Sequence, residues 1–334
     1  MSPTETPPPA DQVEPLSTRA WRRFVALGDS FTEGLMDPDP SAPDRYVGWA
    51  DRLADRLAQR NAADGLDFGY ANLAVRGLRL DEVIATQLDA ALELTPDLVS
   101  LCAGGNDYLR WSVDQDVIAD ELEDAVVRIR ETGADVLLVT APDISRMPVV
   151  RAITHRMAVY TANVWGIAQR NDAFVADIWS LRALRDPALW AEDRIHFTPE
   201  GHRRIAAAAA WTLGVDPGES EDWLTPLEPA LRLTRLGSVA ANRAWAAEHL
   251  APWIGRHLRG QRSGDGVLPK RPVLEPIDAV EVLEALEATG TLDAAGALDA
   301  TGTLAQSPLE ATEAADASRE AAAAPAEEPP RASA

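Results

Sequence analysis

The feature that most narrows the fold is an alternation. Between residues 21 and 215, short and fully apolar runs alternate with stretches whose apolar residues recur at helical spacing. The runs 24–27, 68–73, 98–103, 136–140 and 174–178 have the length and content of strands and stop at glycine, proline or polar residues. Between them, Trp49, Leu53 and Leu57 mark one face of an amphipathic helix, and 81–92, 113–130 and 157–169 carry the same period. A last helix is expected to start at Thr198-Pro199, with threonine as N-cap and proline at the first helical position, and to run to about Leu213. Continuous apolar strands separated by amphipathic helices require a parallel sheet covered on both faces, an α/β three-layer arrangement. Such sheets bind ligands at the carboxyl ends of their strands, so the residues that follow each strand carry the functional question.

Gly28-Asp29-Ser30 follows the first strand, Gly77 the second, Gly105-Asn106-Asp107 the third, and Asp193-Arg194-Ile195-His196 stands in the last loop after the fifth. A serine hydroxyl is a poor nucleophile at neutral pH and needs an adjacent base. His196 supplies one, and Asp193, three residues earlier, is close enough to hold the imidazole tautomer and stabilise the imidazolium. The oxyanion of a tetrahedral intermediate needs hydrogen-bond donors. The backbone N–H groups of Ser30 and Gly77 and the side-chain amide of Asn106 are three such donors. Asp29 is expected to fix the turn rather than to serve as the acid of a triad.

FVALGDSFTEG at 24–34, Gly77 within ANLAVRG, GGND at 104–107 and DRIH at 193–196 resemble, in order, the four blocks of the SGNH hydrolases, also called GDSL esterases/lipases. The resemblance spans roughly 21–215. It implies a flavodoxin-like αβα sandwich with a five-stranded parallel sheet in the order 2-1-3-4-5. It also implies Ser30 as nucleophile, His196 as base, Asp193 as its partner, Gly77 and Asn106 as completing the oxyanion hole, and no cofactor. The expected activity is hydrolysis of a small-molecule acyl ester through an acyl-enzyme. The reading from another class is a non-catalytic binding module on the same scaffold, which would have no use for the Asp193–His196 pair.

The remaining candidates carry less. His202 falls inside the last helix and reads as a packed or surface histidine, while His155, His249 and His257 lack a matching context. Cys102 reads as a small core residue. Asp37, Asp39 and Asp44 resemble a sparse calcium loop but lack the glycine and bidentate glutamate of an EF-hand, and this stretch reads as a solvated loop on the substrate side, with no metal. There is no G-x-S-x-G, P-loop or G-x-G-x-x-G motif.

Charge divides the chain. The total is −22, which argues against a nucleic-acid binder. Residues 1–20 carry −2 and five prolines and are expected to be a disordered leader; 21–231, the expected hydrolase domain, carry −15. Residues 232–272 carry +6 and are expected to form a basic amphipathic helical appendage, with helices at 238–250 and 252–258. Their Trp and Arg content would suit an anionic membrane surface through 238–262, although docking on the catalytic domain is the favoured reading. Residues 273–334 carry −11 and contain a degenerate hexad, ATGTLD, AAGALD, ATGTLA, at 288–305; apart from a short helix at 277–287 they are expected to be disordered. No protein partner is identifiable. With no apolar span of transmembrane length and no secretory leader, a cytoplasmic location is the expectation.

Overall fold

A computed structural model describes residues 19–147, 150–217, 222–227 and 263–277. All of them belong to one unit of the chain, 1–279, and the other unit, 280–334, lies outside the described residues. The leader apart from Arg19 and Ala20, most of the basic segment and nearly all of the acidic tail also lie outside them, as do the expected helices at 238–250, 252–258 and 277–287, apart from Ile277.

The strands are β1 Arg23–Gly28, β2 Pro38–Asp39, β3 Ala42–Tyr46, β4 Gly69–Asn72, β5 Leu98–Cys102, β6 Asp135–Val139, β7 Phe174–Ala176 and β8 Arg271–Pro276. The helices are α1 Ser30–Glu33, α2 Gly48–Ala63, α3 Leu80–Val83, α4 Asp89–Glu93, α5 Gly105–Tyr108, α6 Gln115–Glu131, α7 Thr154–Asn171 and α8 Pro199–Thr212. The main sheet runs β7-β6-β5-β1-β4-β8. Its first five strands are parallel and stand in the order expected from the sequence. The helices form the flanking layers, α2 packing on α8 and α6 on α7.

Local chemistry accounts for these elements. α2 buries Trp49, Leu53 and Leu57 on one face, while its arginines and aspartates on the other are half-buried. Thr198 caps α8 by accepting from the Gly201 N–H, with Pro199 at its first position. β1 lies between two parallel neighbours and is buried from Phe24 to Gly28, so its apolar run lacks the alternation of a half-exposed strand.

Three features depart from the expectation. The sheet has six strands rather than five, because β8 adds antiparallel to β4 at the edge. This strand crosses the 272/273 boundary drawn from charge. Its two prolines are tolerated there because an edge strand leaves alternate N–H groups unpaired. The stretch read as a solvated loop forms the β2–β3 hairpin, and Asp37 is buried, where its carboxylate accepts from Arg52 Nε (3.1 Å), from Arg52 Nη2 (3.0 Å to Oδ1 and 2.9 Å to Oδ2) and from the Gly48 N–H (3.1 Å). The helix expected at 81–92 is two short helices joined by a π-helical stretch, Ile84–Leu88. Among the described residues no helix is long and apolar enough to cross a membrane.

Candidate active site

The first strand delivers Ser30. Asp29 caps α1, its carboxylate accepting from the Phe31 N–H at 3.1 Å, and Ser30 opens that helix with 7% of its surface exposed. Gly28, just before this turn, is held from the side. Gln87 donates from Nε2 to the Gly28 carbonyl and accepts from the Gly28 N–H, both at 2.9 Å. The π-helical stretch turns Gln87 inward, a use of such irregularities that recurs near functional sites. Sequence periodicity hides this residue, since it looks like one more polar position on an amphipathic helix.

His196 arrives on the loop between β7 and α8. Trp190 and Phe197 form an isolated antiparallel bridge across the base of the loop, and the Ala191 N–H donates to the His196 carbonyl at 2.9 Å. Asp193 Oδ1 accepts from the N–H groups of Ile195 and His196, each at 3.0 Å, around Arg194 in a left-handed conformation (φ 56°). The other oxygen, Oδ2, lies 2.6 Å from His196 Nδ1, and His196 Nε2 lies 2.8 Å from Ser30 Oγ. Burial pushes the Asp193 carboxyl up, but the His196 hydrogen bond and charge and the two backbone donors outweigh it and hold the group at about 2. An ionised carboxylate only accepts, so Nδ1 carries the hydrogen and Nε2 presents its lone pair to the serine hydroxyl.

Gly77 lines the same cavity as the serine and has φ +78°, a conformation that L side chains rarely adopt. Its loop is tied to the serine turn by Glu33, whose carboxylate accepts from the Arg76 N–H (2.8 Å) and Arg76 Nε (2.9 Å). Asn106, in α5, donates both amide hydrogens, to Asp29 Oδ2 (3.1 Å) and to the Leu78 carbonyl (2.9 Å). Asp29 is 4% exposed, and burial, offset in part by the Phe31 N–H and the charge of His196, raises its carboxyl to about 6.

All five residues singled out in the sequence, Ser30, Gly77, Asn106, Asp193 and His196, line one cavity of about 820 Å3. Val139, Ile144, Ile153, Met157 and Tyr160 give it an apolar stretch of wall, and Arg79, Arg110 and Thr140 line it as well. Cys102 also lines it. Burial, with the Asp29 charge second, pushes that thiol far above its ordinary value, so it is a protonated wall group rather than a nucleophile. His202 is buried and not a second base: its Nε2 lies 3.2 Å from the Leu35 carbonyl oxygen, and burial lowers it to about 4. Sequence reasoning missed Glu33, Arg76 and Gln87, and it missed Ser263, which reaches the cavity from beyond the expected domain.

Comparison with known proteins places the fold. A match of 27% identity over 188 residues links the chain to the phosphatidylcholine-sterol acyltransferase of Aeromonas hydrophila, covering 46% of this chain and 56% of that protein. The chain thus spans little more than half the length of that relative. Among solved structures, LAE5, an alpha/beta hydrolase enzyme from the metagenome of Lake Arreo, is similar at 25% identity and a TM-score of 0.50, over 58% of this chain and 95% of that one. Axe2, an acetylxylan esterase from Geobacillus stearothermophilus, shares the fold at 21% identity and the same TM-score of 0.50, over 60% and 97%. The family model that matches residues 26–204 takes in the serine turn, the Gly77 loop, Asn106 and the Asp193–His196 loop together, and by that match the chain belongs to the GDSL-like lipase/acylhydrolase family.

Proposed function

We propose that the chain is a serine esterase whose substrate carries an extended apolar acyl group. The observation that carries this reading is the hydrogen-bonded run Asp193–His196–Ser30 in the wall of this largely apolar cavity. In the first step His196 Nε2 takes the hydroxyl proton as Ser30 Oγ attacks the ester carbonyl, and Asp193 stabilises the imidazolium that forms. The imidazolium then returns that proton to the departing alcohol, leaving an acyl-Ser30. Water, deprotonated by the same nitrogen, attacks the acyl carbon, and the imidazolium returns that proton to Ser30 Oγ as the acid leaves. The oxyanion is received by the N–H groups of Ser30 and Gly77 and by the Asn106 amide. Because both Asn106 hydrogens are engaged, one of them shifts or is shared when the oxyanion forms.

The size and lining of the cavity support the acyl assignment. About 820 Å3 falls within the roughly 300–1,000 Å3 of sites that hold a drug-sized ligand and far exceeds what an acetyl group fills. Each methylene that enters an apolar wall is worth about 0.8 kcal/mol, roughly fourfold in affinity. Rates on a p-nitrophenyl ester series from acetyl to palmitoyl test the reading. The expected result is a kcat/KM that climbs with chain length until the cavity is full and that vanishes in Ser30→Ala. A maximum at acetyl would reject the acyl assignment, and hydrolysis that survives Ser30→Ala would reject the nucleophile. The likeness to an acyltransferase supports a second reading, in which an acceptor alcohol replaces water at the acyl-enzyme; ester products formed in the presence of added alcohol would reveal it.

A further inference from the structure

The stretch 263–277 lies outside the region that matches the family, 26–204, yet it meets the site at two points. The first is Lys270. Its ammonium is 12% exposed and lies within hydrogen-bond distance of the carbonyl oxygens of Glu33 (2.6 Å), Tyr46 (2.9 Å) and Val47 (2.5 Å) and of Asp51 Oδ2 (2.6 Å). Glu33 ends α1, the helical turn that Ser30 begins. The cation therefore sits at the carbonyl end of the nucleophile's own turn, the end that favours positive charge.

The second point is Ser263-Gly264. A Cβ on Gly264 would stand 2.1 Å from the Arg76 carbonyl oxygen, so only glycine allows this approach. A Cβ on Gly77 would in turn stand 2.6 Å from Ser263 Oγ. The strap thus packs against the 76–77 peptide, whose N–H is an oxyanion donor in the proposed mechanism. Farther along, β8 pairs with β4, the strand that leads into this loop, and the Ile277 N–H donates to the Phe68 carbonyl at 3.3 Å.

Strand order separates two sides of the cavity. The apolar wall comes from the ends of β5 and β6, from α7 and from the stretch leading into it, whereas Gly77 and Ser263 stand toward the β4–β8 edge. An acyl chain laid along the former directs the alcohol toward the latter.

We infer that 263–277 is a working part of the esterase site, in which Lys270 positions the Ser30 turn and Ser263 bounds the space for the alcohol of the bound ester. This rests on the serine esterase reading. The test uses the full chain, esters of one acyl group with alcohols from methyl to bulky aryl, and the variants Lys270→Met, Ser263→Trp and Ser30→Ala, each checked by thermal melting. Lys270→Met is expected to lower kcat about tenfold with KM within about twofold, since it disturbs the nucleophile and not the acyl wall. Ser263→Trp is expected to lower kcat/KM about tenfold or more for bulky alcohols and little for the methyl ester. Unchanged kcat in a folded Lys270→Met, or a Ser263→Trp effect equal for all alcohols, overturns the inference. Should Lys270→Met not fold, the Ser263→Trp comparison decides. Hydrolysis that persists in Ser30→Ala overturns the esterase reading itself, and this inference with it.

Discussion

Glu33 and Arg76 join the turn that carries Ser30 to the loop that carries Gly77. The carboxylate of Glu33, 8% exposed, accepts from both the backbone and the guanidinium of Arg76, and the guanidinium lies over the Tyr46 ring, 5.2 Å from its centroid. The proposed nucleophile and one proposed oxyanion donor are thereby held as a unit, although 47 positions separate Ser30 from Gly77 in the chain.

Removing the cation should cost both stability and rate. Arg76→Leu leaves the Glu33 carboxylate buried without its partner, a change worth about 3–5 kcal/mol for a buried pair, toward the lower end here because Arg76 is partly exposed. Melting temperature and kcat should fall together while acyl-chain preference stays as in the parent, since the acyl wall lies elsewhere. A loss of stability with kcat unchanged would show the pair to be structural only.

The Asp193 carboxyl makes a pH-dependent contribution to stability. Its folded value of about 2 lies below the ordinary 3.8, so ionised Asp193 favours the folded state above pH 3.8, by on the order of 2 kcal/mol, and this is lost as pH falls through about 2. Melting curves of the parent and Asp193→Asn should therefore differ by a constant gap near pH 5 that narrows as the pH approaches 2. A gap that widens on acidification would contradict the assigned pairing.

Filling the acyl wall should shorten the preferred substrate. Met157 lines the cavity, and Met157→Trp removes space for roughly two methylenes, so kcat/KM for long acyl chains should fall about fourfold per methylene excluded while the shortest esters are unaffected. An equal loss across the series would instead indicate general damage, which a melting curve would register.

Cys102 should resist alkylation in the folded protein. Its thiol is held protonated by burial and by the neighbouring Asp29 charge. Iodoacetamide at neutral pH should label it only after denaturation. Rapid labelling of the native protein with loss of activity would contradict this.

The five parallel strands, and the five residues that the fold brings to one cavity, were legible because each leaves a local mark, an apolar run or a short motif at the end of one. What was not legible depends on contacts between distant segments. β8 has only Val273 and Leu274 as apolar residues, carries Pro272 and Pro276, and pairs with a strand about 200 positions earlier, so no local pattern announces it. Lys270 looks like one more member of a basic segment until its carbonyl partners are seen. Gln87 became visible only through the π-helical stretch that turns it toward Gly28. Asp37 looked like a solvated acid because its partner, Arg52, sits on the following helix. The charge boundary at 272/273 failed for a related reason: net charge reports solvation, whereas an edge strand is held by backbone hydrogen bonds.

The central claim is that Ser30 is a nucleophile activated through His196. Labelling of the full chain with a long-chain alkyl fluorophosphonate, followed by peptide mapping, tests it most directly. The account predicts one adduct, on Ser30, abolished by Ser30→Ala and slowed at least a hundredfold by His196→Ala, about 2.7 kcal/mol of lost activation. An adduct on another residue, or labelling at the parent rate in His196→Ala, would contradict it.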